Sequence, residues 1–517
     1  MRVHLALGLS LLWGTLGSCG GGGQGSSSQR PDGPYESGTD GELLDPPGVG
    51  DDSSSTPDST SLGGRFRYGI NGGFPNRDWA DPVLAELEVS AGCNSQRLSL
   101  PERHLERWGY GIELGDMQEY EVLGLDGQVA FLSAPAREHS TAPASAEDWE
   151  LAHYLPRNLY EPILRDDGSI NPDNYWGSYV YETVRTYKDY VKVWEVWNEP
   201  DYVSDWSATL EWDERAPSAA DLIRFGGSIF DYVRMLRVSK VAAQLADPEA
   251  KIATGGIGYP SFLGAILRYT DNPDGGQVSE RYPYTGGAYI DVLSFHHYPI
   301  YGAGSSDVAV EAYLEHRAEL LAQLDEAGAS VEGWQTTESG APRVAVGSYP
   351  GSEAYARNYL MKLMVRAQTA GIDGIDWFVL SDGTPEEQSE DPYASMGLYH
   401  DVAELEDPEQ AILTDTGVAY ATLGGVLGRA RFDPTTTASL ALPDGVQGAA
   451  FVTRDERPAL ALWAIAGAEG ESASAVVTLE GNWSVHEWDH SRTGEATTVA
   501  AGAPITLSAS VRLLVAD

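Results

Sequence analysis

Two glutamates stand where runs of apolar residues end. Glu199 follows "VKVWEVWN" and Glu338 follows "GWQTT", so each carboxylate comes at the end of a segment typical of a buried strand. A carboxyl group with a raised pKa can donate a proton, whereas an ionised one can attack an electrophilic carbon or activate water. The sequence therefore offers both partners of a two-carboxylate reaction, provided that the fold brings the two strand ends together.

The elements that must position these glutamates follow a regular order. From Arg65 onward, short apolar runs alternate with longer segments of helical period, which is typical of a parallel sheet with crossover helices. Eight runs are predicted strands, and they cover residues 65–72, 94–100, 128–135, 191–200, 251–258, 289–299, 332–340 and 374–382. Eight such units predict an α/β fold, a (β/α)8 TIM barrel with long loops, over residues 65–432.

A barrel of this kind places both glutamates at one mouth. Active sites of such barrels lie at the C-terminal ends of the strands, and Glu199 and Glu338 end the fourth and seventh predicted strands. Glycoside hydrolysis requires this arrangement, because one carboxyl group protonates the leaving oxygen while the other attacks carbon or activates water. Glu332 is a further acid near the start of the seventh strand, and it leaves the choice of the second carboxylate open.

The motifs around these strands resemble a known group of enzymes. "WNEP" on strand four and "TESG" on strand seven resemble retaining glycoside hydrolases of the clan that groups families 5, 30, 39 and 51. Together with "YGINGG" and "SFHHYP", they are most similar to family 39, from roughly Phe66 to the end of the chain. The resemblance implies an O-glycosidase acting by double displacement, for example a β-xylosidase-like enzyme, with Glu199 as general acid and base and Glu338 as nucleophile. An endo-acting glucanase or mannanase of the same clan, or a surface carbohydrate-binding protein without catalysis, is the alternative.

The same resemblance implies roles for five further residues. Asn198 would bind the sugar 2-hydroxyl, and Arg97 would neighbour the nucleophile. Tyr298 would contact the nucleophile and His296 would line the site, while Trp377 would form the aromatic floor beneath the sugar. A structural ion pair is the other interpretation of Arg97, and barrel packing that of Trp377.

The two carboxylates need opposite protonation states. Glu199 must carry a proton near neutral pH, and we expect Trp197 and the charge of Glu338 to raise its pKa. Glu338 must stay ionised, and Arg97 and Tyr298 can supply a cation and a donor. A retaining mechanism requires carboxyl groups ~5 to 5.5 Å apart, against ~6.5 to 9.5 Å for inversion.

Several aromatic and polar residues near the predicted mouth have two interpretations. Asn71 ends the first strand as a turn residue or as part of the site. Tyr202, Trp206 and Trp212 follow strand four and could stack on sugar rings or pack their own loop. His297 follows His296, and because alternate residues of a strand face opposite sides, it is predicted to pack outside the site.

The last part of the chain loses the helical period. From residue 433 to 517 we predict a small antiparallel β-sandwich domain, with strands at 438–443, 448–454, 459–467, 474–481, 483–490 and 505–517. Trp483 and Trp488 could bind sugar there, or pack against the barrel.

The N-terminal residues predict an export signal followed by a linker. Arg2 precedes an apolar run, and Leu16-Gly17-Ser18-Cys19 resembles the lipobox of bacterial lipoproteins, which implies cleavage before Cys19 and lipid attached to its thiol. The alternative is an ordinary secretory signal. Residues 20–64 are rich in Gly, Ser, Pro and Asp and predict a flexible tether. We therefore expect an exported protein, a cell-envelope lipoprotein or otherwise secreted, that meets the membrane only through this anchor.

Composition limits the partners. The chain has 33 basic and 77 acidic residues, a formal net charge of −44, so it repels nucleic acid. A carbohydrate is the substrate that the resemblance implies. Phosphate-binding loops, dinucleotide fingerprints and Cys/His ligand spacings are lacking in the sequence, so no metal and no cofactor is predicted. Cys93 has no predicted disulfide partner and is expected to be a small buried side chain.

Overall fold

The computed structural model describes residues 65–73, 79–302 and 304–517. The predicted signal segment 1–19, the lipidation at Cys19 and the tether 20–64 lie outside these described residues. Within them, the helices are all too short or too polar to cross a membrane.

Eight parallel strands close into a barrel, because each strand pairs with the next and the eighth pairs with the first. Their bounds are β1 Arg67–Gly73, β2 Ser95–Ser99, β3 Gln128–Leu132, β4 Val191–Val196, β5 Lys251–Thr254, β6 Val292–His296, β7 Gly333–Ser339 and β8 Gly374–Ser381. A short ninth strand, β9 Gly397–Tyr399, pairs in parallel with β8. The predicted (β/α)8 barrel is confirmed.

Helices cover the outside of the barrel. Their bounds are α1 Asp81–Ser90, α2 Glu102–Trp108, α3 Leu114–Leu123, α4 Tyr175–Tyr187, α5 Ile229–Ala246, α6 Pro260–Arg268, α7 Ser306–Ala327, α8 Glu353–Thr369 and α9 Asp415–Leu427. Two connections at the mouth are long, the one between β3 and α4 and the one between β4 and α5. The first holds two 3-10 helices, Arg137–His139 and Asp148–His153, and the second holds one, Trp206–Glu211.

A C-terminal β-sandwich packs beside the barrel. Its larger sheet has six antiparallel strands and its smaller sheet has two, and side chains of both sheets share one apolar core. The strands are β10 Arg431–Phe432, β11 Val446–Val452, β12 Pro458–Ala464, β13 Ser474–Thr478, β14 Trp483–His486, β15 Thr497–Val499, β16 Pro504–Ser508 and β17 Arg512–Ala516, and two short helices, α10 Pro434–Ser439 and α11 His490–Thr493, accompany them. The predicted fold class therefore holds for this part of the chain as well.

Two details of the predicted sandwich are wrong. Residues 438–443 do not form a strand, because Asp433 caps α10 through the Thr436 N–H, and Pro434 opens the helix that runs to Ser439. The segment 505–517 is divided into β16 and β17 rather than forming one strand.

A buried polar seam joins the barrel to the sandwich. Asp307 of α7 accepts hydrogen bonds from Trp463 Nε1 at 2.9 Å and from the Ala466 N–H at 2.7 Å, both on the sandwich side. Lys362 of α8 is fully buried and donates to the same carboxylate at 2.8 Å. Trp488 lies under the guanidinium of Arg357, 4.1 Å from the ring centroid, so this tryptophan packs at the seam. These contacts fix the sandwich against helices α7 and α8 of the barrel.

The seam predicts a large effect of one substitution. Asp307→Ala would leave Lys362 buried without its counter-ion, and we expect the free energy of unfolding to fall by about 3 kcal/mol or more in urea titrations. Glu311→Ala is the matched control on the same helix, because Glu311 pairs with Arg366 at the surface and should cost less than about 1 kcal/mol. Equal losses for the two variants would contradict the role of the seam.

Candidate active site

The backbone at the end of β4 is strained in a way that aims Glu199. Trp197 has φ +74° and Glu199 has φ +47°, in the left-handed region that side chains larger than glycine rarely adopt. Two backbone hydrogen bonds hold this turn, from the Trp197 N–H to the Leu132 carbonyl at 2.9 Å and from the Glu199 N–H to the Gly255 carbonyl at 2.7 Å. Such strain persists where the surrounding structure enforces it, and here it projects a carboxylate into the barrel mouth.

The mouth brings the two predicted glutamates together. One carboxylate oxygen of Glu199, one of Glu338 and a ring nitrogen of His296 lie within 4.8 Å of one another, and all three residues are buried. Glu332, the alternative acid, is exposed before the start of β7 and pairs with Lys251 at 2.6 Å. The second carboxylate of the site is therefore Glu338.

Glu338 accepts two hydrogen bonds from buried groups. Arg97 Nη1 donates to Oε1 at 2.7 Å, and the Tyr298 hydroxyl donates to Oε2 at 2.7 Å. His296 Nδ1 lies 3.6 Å from Oε2. A cation and a hydroxyl donor thus face this carboxylate, as its ionised form requires.

Arg97 is fixed by three carboxylate or amide partners. Besides Glu338, its Nε donates to Glu195 Oε2 at 2.6 Å and its Nη2 donates to Asn198 Oδ1 at 2.7 Å, and its guanidinium lies 4.5 Å from the centroid of the Phe131 ring. Burial lowers the pKa of Arg97, but the charges of Glu195 and Glu338 raise it by more. The guanidinium therefore stays charged and orients both the nucleophile candidate and the neighbouring amide.

Glu199 lies between two basic groups. His296 Nδ1 is hydrogen-bonded to Oε1 at 3.1 Å, and Arg224 Nη1 donates to Oε2 at 2.9 Å. Burial raises the pKa of Glu199, but the hydrogen bond and charge of His296 and the charges of Arg224 and Arg97 lower it by more. The expected rise in the pKa of Glu199 is thus wrong, because the sequence analysis paired neither His296 nor Arg224 with this carboxyl group.

His296 connects Glu199 to a carboxylate deep in the barrel. Its Nε2 lies 3.1 Å from Thr337 Oγ1, and that hydroxyl donates to Glu195 Oε1 at 2.7 Å. Because the Thr337 proton goes to Glu195, the Thr337 oxygen accepts from Nε2–H, which leaves Nδ1 to share a proton with Glu199. Burial lowers the pKa of His296, but the charge of Glu338 and the hydrogen bond to Glu199 raise it overall.

Trp377 does not lie where the resemblance implies. Its side chain is 0% exposed, its Nε1 donates to the Met396 carbonyl at 2.7 Å, and its ring contacts Tyr359 of α8 at a centroid distance of 6.2 Å. The ring therefore faces outward from the barrel and has no surface with which to contact a sugar. Because strand residues alternate, Phe378 faces the opposite side, where its ring meets Tyr298 edge-on at 5.5 Å.

The other predicted residues fall into two groups. Trp212 is fully buried against Tyr259 and Phe262 at the start of α6, so it anchors its loop to that helix and has no exposed face for a sugar. Asn71 pairs in register with Arg97 at the barrel mouth and is partly exposed, and Trp206 is partly exposed in its 3-10 helix, so both roles stay predictions.

His297 points away from the site. Its ring meets those of Tyr313 and His316 on α7, at centroid distances of 5.6 Å each. This is the outward packing that strand alternation predicted for the residue after His296.

Glu199, His296 and Glu338 are close enough to bind a metal ion, but their surroundings favour proton transfer. Each carboxylate already binds a guanidinium, from Arg224 or Arg97, and a metal cation would have to displace both or sit beside them. Glu338, held by a fixed cation, is suited to act as a nucleophile. Glu199, which shares a proton with an imidazole, is suited to acid–base catalysis.

Sequence reasoning missed two groups of functional residues. Glu195 and Asp376 were visible as acids inside apolar strands, where a charge needs partners, and both lie buried in the barrel. Burial raises the pKa of Asp376 to about 7. Arg224 comes from the long loop after β4, and no pattern in the sequence relates it to the site.

No protein-family model matches the chain, and no curated protein matches it in sequence. Solved structures do resemble it. A family 39 glycoside hydrolase from Bacteroides cellulosilyticus is 16% identical with a TM-score of 0.55, over 87% of this chain and 80% of that one. A glucosidase from Croceicoccus marinus is 12% identical with a TM-score of 0.54, over 88% and 97%. A family 30 endoxylanase from Clostridium papyrosolvens is 14% identical with a TM-score of 0.51, over 89% and 98%. These likenesses show that the chain has the fold of these hydrolases.

The geometry predicts how His296 titrates. In NMR of histidine-labelled protein, we expect the pKa of His296 to lie above the ordinary ~6.5, and Glu199→Gln to lower it by removing a charge and a hydrogen-bond partner. His316 is an internal control, because burial lowers its pKa to about 4 and it does not contact Glu199. A His296 pKa that does not change in Glu199→Gln would contradict the pairing.

Proposed function

We propose that this protein is a retaining glycoside hydrolase of the clan that includes families 30, 39 and 51, most like family 39. The observation that carries the proposal is the approach of two buried carboxylates, from the ends of strands four and seven, to within 4.8 Å between oxygens. Retaining enzymes hold their carboxyl groups ~5 to 5.5 Å apart, whereas inverting enzymes need the wider gap to accommodate a water. The glycoside hydrolases among the structural neighbours support the same class.

Glu338 is the nucleophile in this proposal. An Oε atom attacks the anomeric carbon as the bond to the leaving oxygen breaks, which gives a glycosyl ester on Glu338. Arg97 and Tyr298 hold the carboxylate in place before the attack. Asn198 Oδ1 accepts from Arg97, so its amide Nδ2 is left to donate to the sugar 2-hydroxyl.

Glu199 is the general acid and base. In the first step it gives a proton to the leaving oxygen, and in the second it takes one from the water that hydrolyses the ester. The pairing of Glu199 with His296 explains how a carboxyl group beside two cations can still deliver a proton, since the imidazole Nδ1 can return one to it. The net reaction transfers the glycosyl unit to water with its anomeric configuration kept.

Three matched glutamine variants test the assignment. We expect Glu338→Gln to lose turnover on every aryl glycoside tested, by at least about 1,000-fold, because the covalent step is lost. Glu199→Gln should lose turnover on glycosides with poor leaving groups but retain it on dinitrophenyl glycosides, whose leaving oxygen needs no proton. The readout is kcat/KM over an aryl glycoside panel of several sugars.

Glu332→Gln is the control, since it changes an exposed acid near the same strand that only pairs with Lys251. Its kcat/KM should equal that of the unaltered protein. Full activity of Glu338→Gln, or equal losses in all three variants, would show that the two carboxylates are not the catalytic pair.

We also propose that the protein is exported and anchored by lipid at Cys19, on the strength of the segment Leu16-Gly17-Ser18-Cys19. In a bacterial host, the protein should partition into the membrane fraction with a lipid mass on its first residue. Cys19→Ser should release it from the membrane. Membrane association that survives this change would count against the anchor.

A further inference from the structure

A group of cationic and aromatic side chains lies beside Glu199, and the proposed reaction does not use it. It consists of Arg224 and Tyr202 from the loop after β4, and His153 and Trp149 from the 3-10 helix after β3; we call it the Arg224 cluster. The Arg224 guanidinium lies 3.8 Å from the centroid of the Tyr202 ring, and the rings of Trp149 and His153 meet edge-on at 5.9 Å. Burial and the nearby charge of Arg224 both lower the pKa of His153.

The two loops of the Arg224 cluster are fixed against each other. The carbonyl of Arg224 accepts a hydrogen bond from Trp197 Nε1 at 3.1 Å, and the next residue, Phe225, packs edge-on against the Trp197 ring at 5.5 Å. Gly226 has φ +72°, and a Cβ there would lie 2.4 Å from the His153 carbonyl oxygen. This close approach requires glycine at position 226. The contact between the two loops therefore fixes the backbone near Arg224.

Arg224 and His296 bind different oxygens of Glu199. Nδ1 of His296 contacts Oε1 and also lies 3.6 Å from Glu338, whereas Arg224 binds Oε2. The general acid of a double displacement lies beside the leaving oxygen that it protonates, so a cation bound to Glu199 is next to the position of the leaving group. The Arg224 side chain is 21% exposed, whereas that of Arg97 is 1% exposed, so a ligand can reach it.

The ion pair between Arg224 and Glu199 must loosen during the reaction. While the guanidinium holds Oε2, the ionised form of Glu199 is favoured, yet the first step needs a proton on this carboxyl group. A neutral ligand carries no anion that could compete with Glu199 for the guanidinium of Arg224. A second carboxylate can replace the first one, because a planar guanidinium binds carboxylates through two parallel hydrogen bonds.

We propose that Arg224 binds the carboxylate of an acidic sugar in the leaving-group position, so that the preferred substrates are glycosides whose leaving unit is a uronic acid. Tyr202, whose ring stacks on the Arg224 guanidinium, places an aromatic side chain beside the bound carboxylate. The carboxylate draws Arg224 away from Glu199, and Glu199 then takes the proton shared with His296 and passes it to the leaving oxygen. This inference rests on the proposed glycosidase function and adds the class of its leaving group.

The net charge of −44 does not exclude such a substrate. At physiological ionic strength charges are screened over about 8 Å, so the repulsion by distant carboxylates is weak beside a direct contact with Arg224. The acidity of the chain instead slows the approach of anionic chains at low salt.

A pair of substrates that differ in one group gives the sharpest test. Para-carboxyphenyl and para-carbamoylphenyl glycosides share a glycone and nearly the same leaving oxygen, but only the first carries an anion. In the unaltered full chain we expect kcat/KM to be at least about tenfold higher for the carboxyphenyl glycoside, the effect of one charge-assisted contact. Arg224→Gln should make the two substrates equal.

Arg215→Gln is the matched control. Arg215 lies on the same loop and pairs with Glu211 and Asp221, so its loss loosens the loop without removing a partner of Glu199. The preference should survive in this variant. Equal kcat/KM for the two substrates in the unaltered protein, a preference that persists in Arg224→Gln, or an equal loss in Arg215→Gln would each overturn the inference.

A binding measurement separates failure of this inference from failure of the glycosidase proposal. By calorimetry, glucuronate or galacturonate should bind the unaltered protein at least about tenfold more tightly than glucose or galactose, and Arg224→Gln should remove the difference. Absence of turnover on all glycosides together with this preference would refute the proposed reaction alone. Turnover on dinitrophenyl glycosides without any preference for uronates would refute the Arg224 assignment alone.

Discussion

One buried carboxylate, that of Glu195, orders both halves of the site. Glu195 is fully buried and accepts hydrogen bonds from Arg97, Ser294 and Thr337. Through Arg97 it reaches Glu338, and through Thr337 and His296 it reaches Glu199. A buried charge is costly unless it is paired and hydrogen-bonded, so the groups that satisfy Glu195 have little freedom to move away from it. The same requirement that stabilises the barrel interior therefore positions the two carboxylates at its mouth.

The hydrogen-bond path through Arg97 and the path through Thr337 and His296 place the two carboxylates in different electrostatic surroundings. Glu338 faces a permanent cation and a hydroxyl donor, which suits a nucleophile that must be ionised throughout. Glu199 faces an imidazole, which can gain or lose a proton near neutral pH, and a guanidinium that is partly open to solvent. The protonation of Glu199 can thus change during a reaction cycle, whereas that of Glu338 does not need to.

Sequence reasoning predicted what periodicity and barrel geometry determine. Apolar runs located all eight barrel strands, and the rule that strand ends converge placed Glu199 and Glu338 together. Trp377 was placed beneath the sugar by the family resemblance, and the apolar pattern of its strand could not correct this, because a fully buried strand is apolar on both faces. Arg224 could not be found because the path of a long loop is set by contacts distant in sequence, such as that of Gly226 with His153. The direction of the Glu199 pKa depends first on the pairing with His296 and then on Arg224, and neither contact was predicted.

In the proposed reaction Glu338 becomes covalently bonded to the substrate. The decisive experiment is incubation with an activated fluorinated glycoside, followed by mass spectrometry of the digested protein. The fluorine slows both formation and hydrolysis of the glycosyl ester, and the activated leaving group restores its formation, so the ester accumulates. We expect one added glycosyl unit, on the peptide that contains Glu338. A label on Glu199 instead, or unlabelled protein that releases a product of inverted configuration, would contradict the proposed reaction.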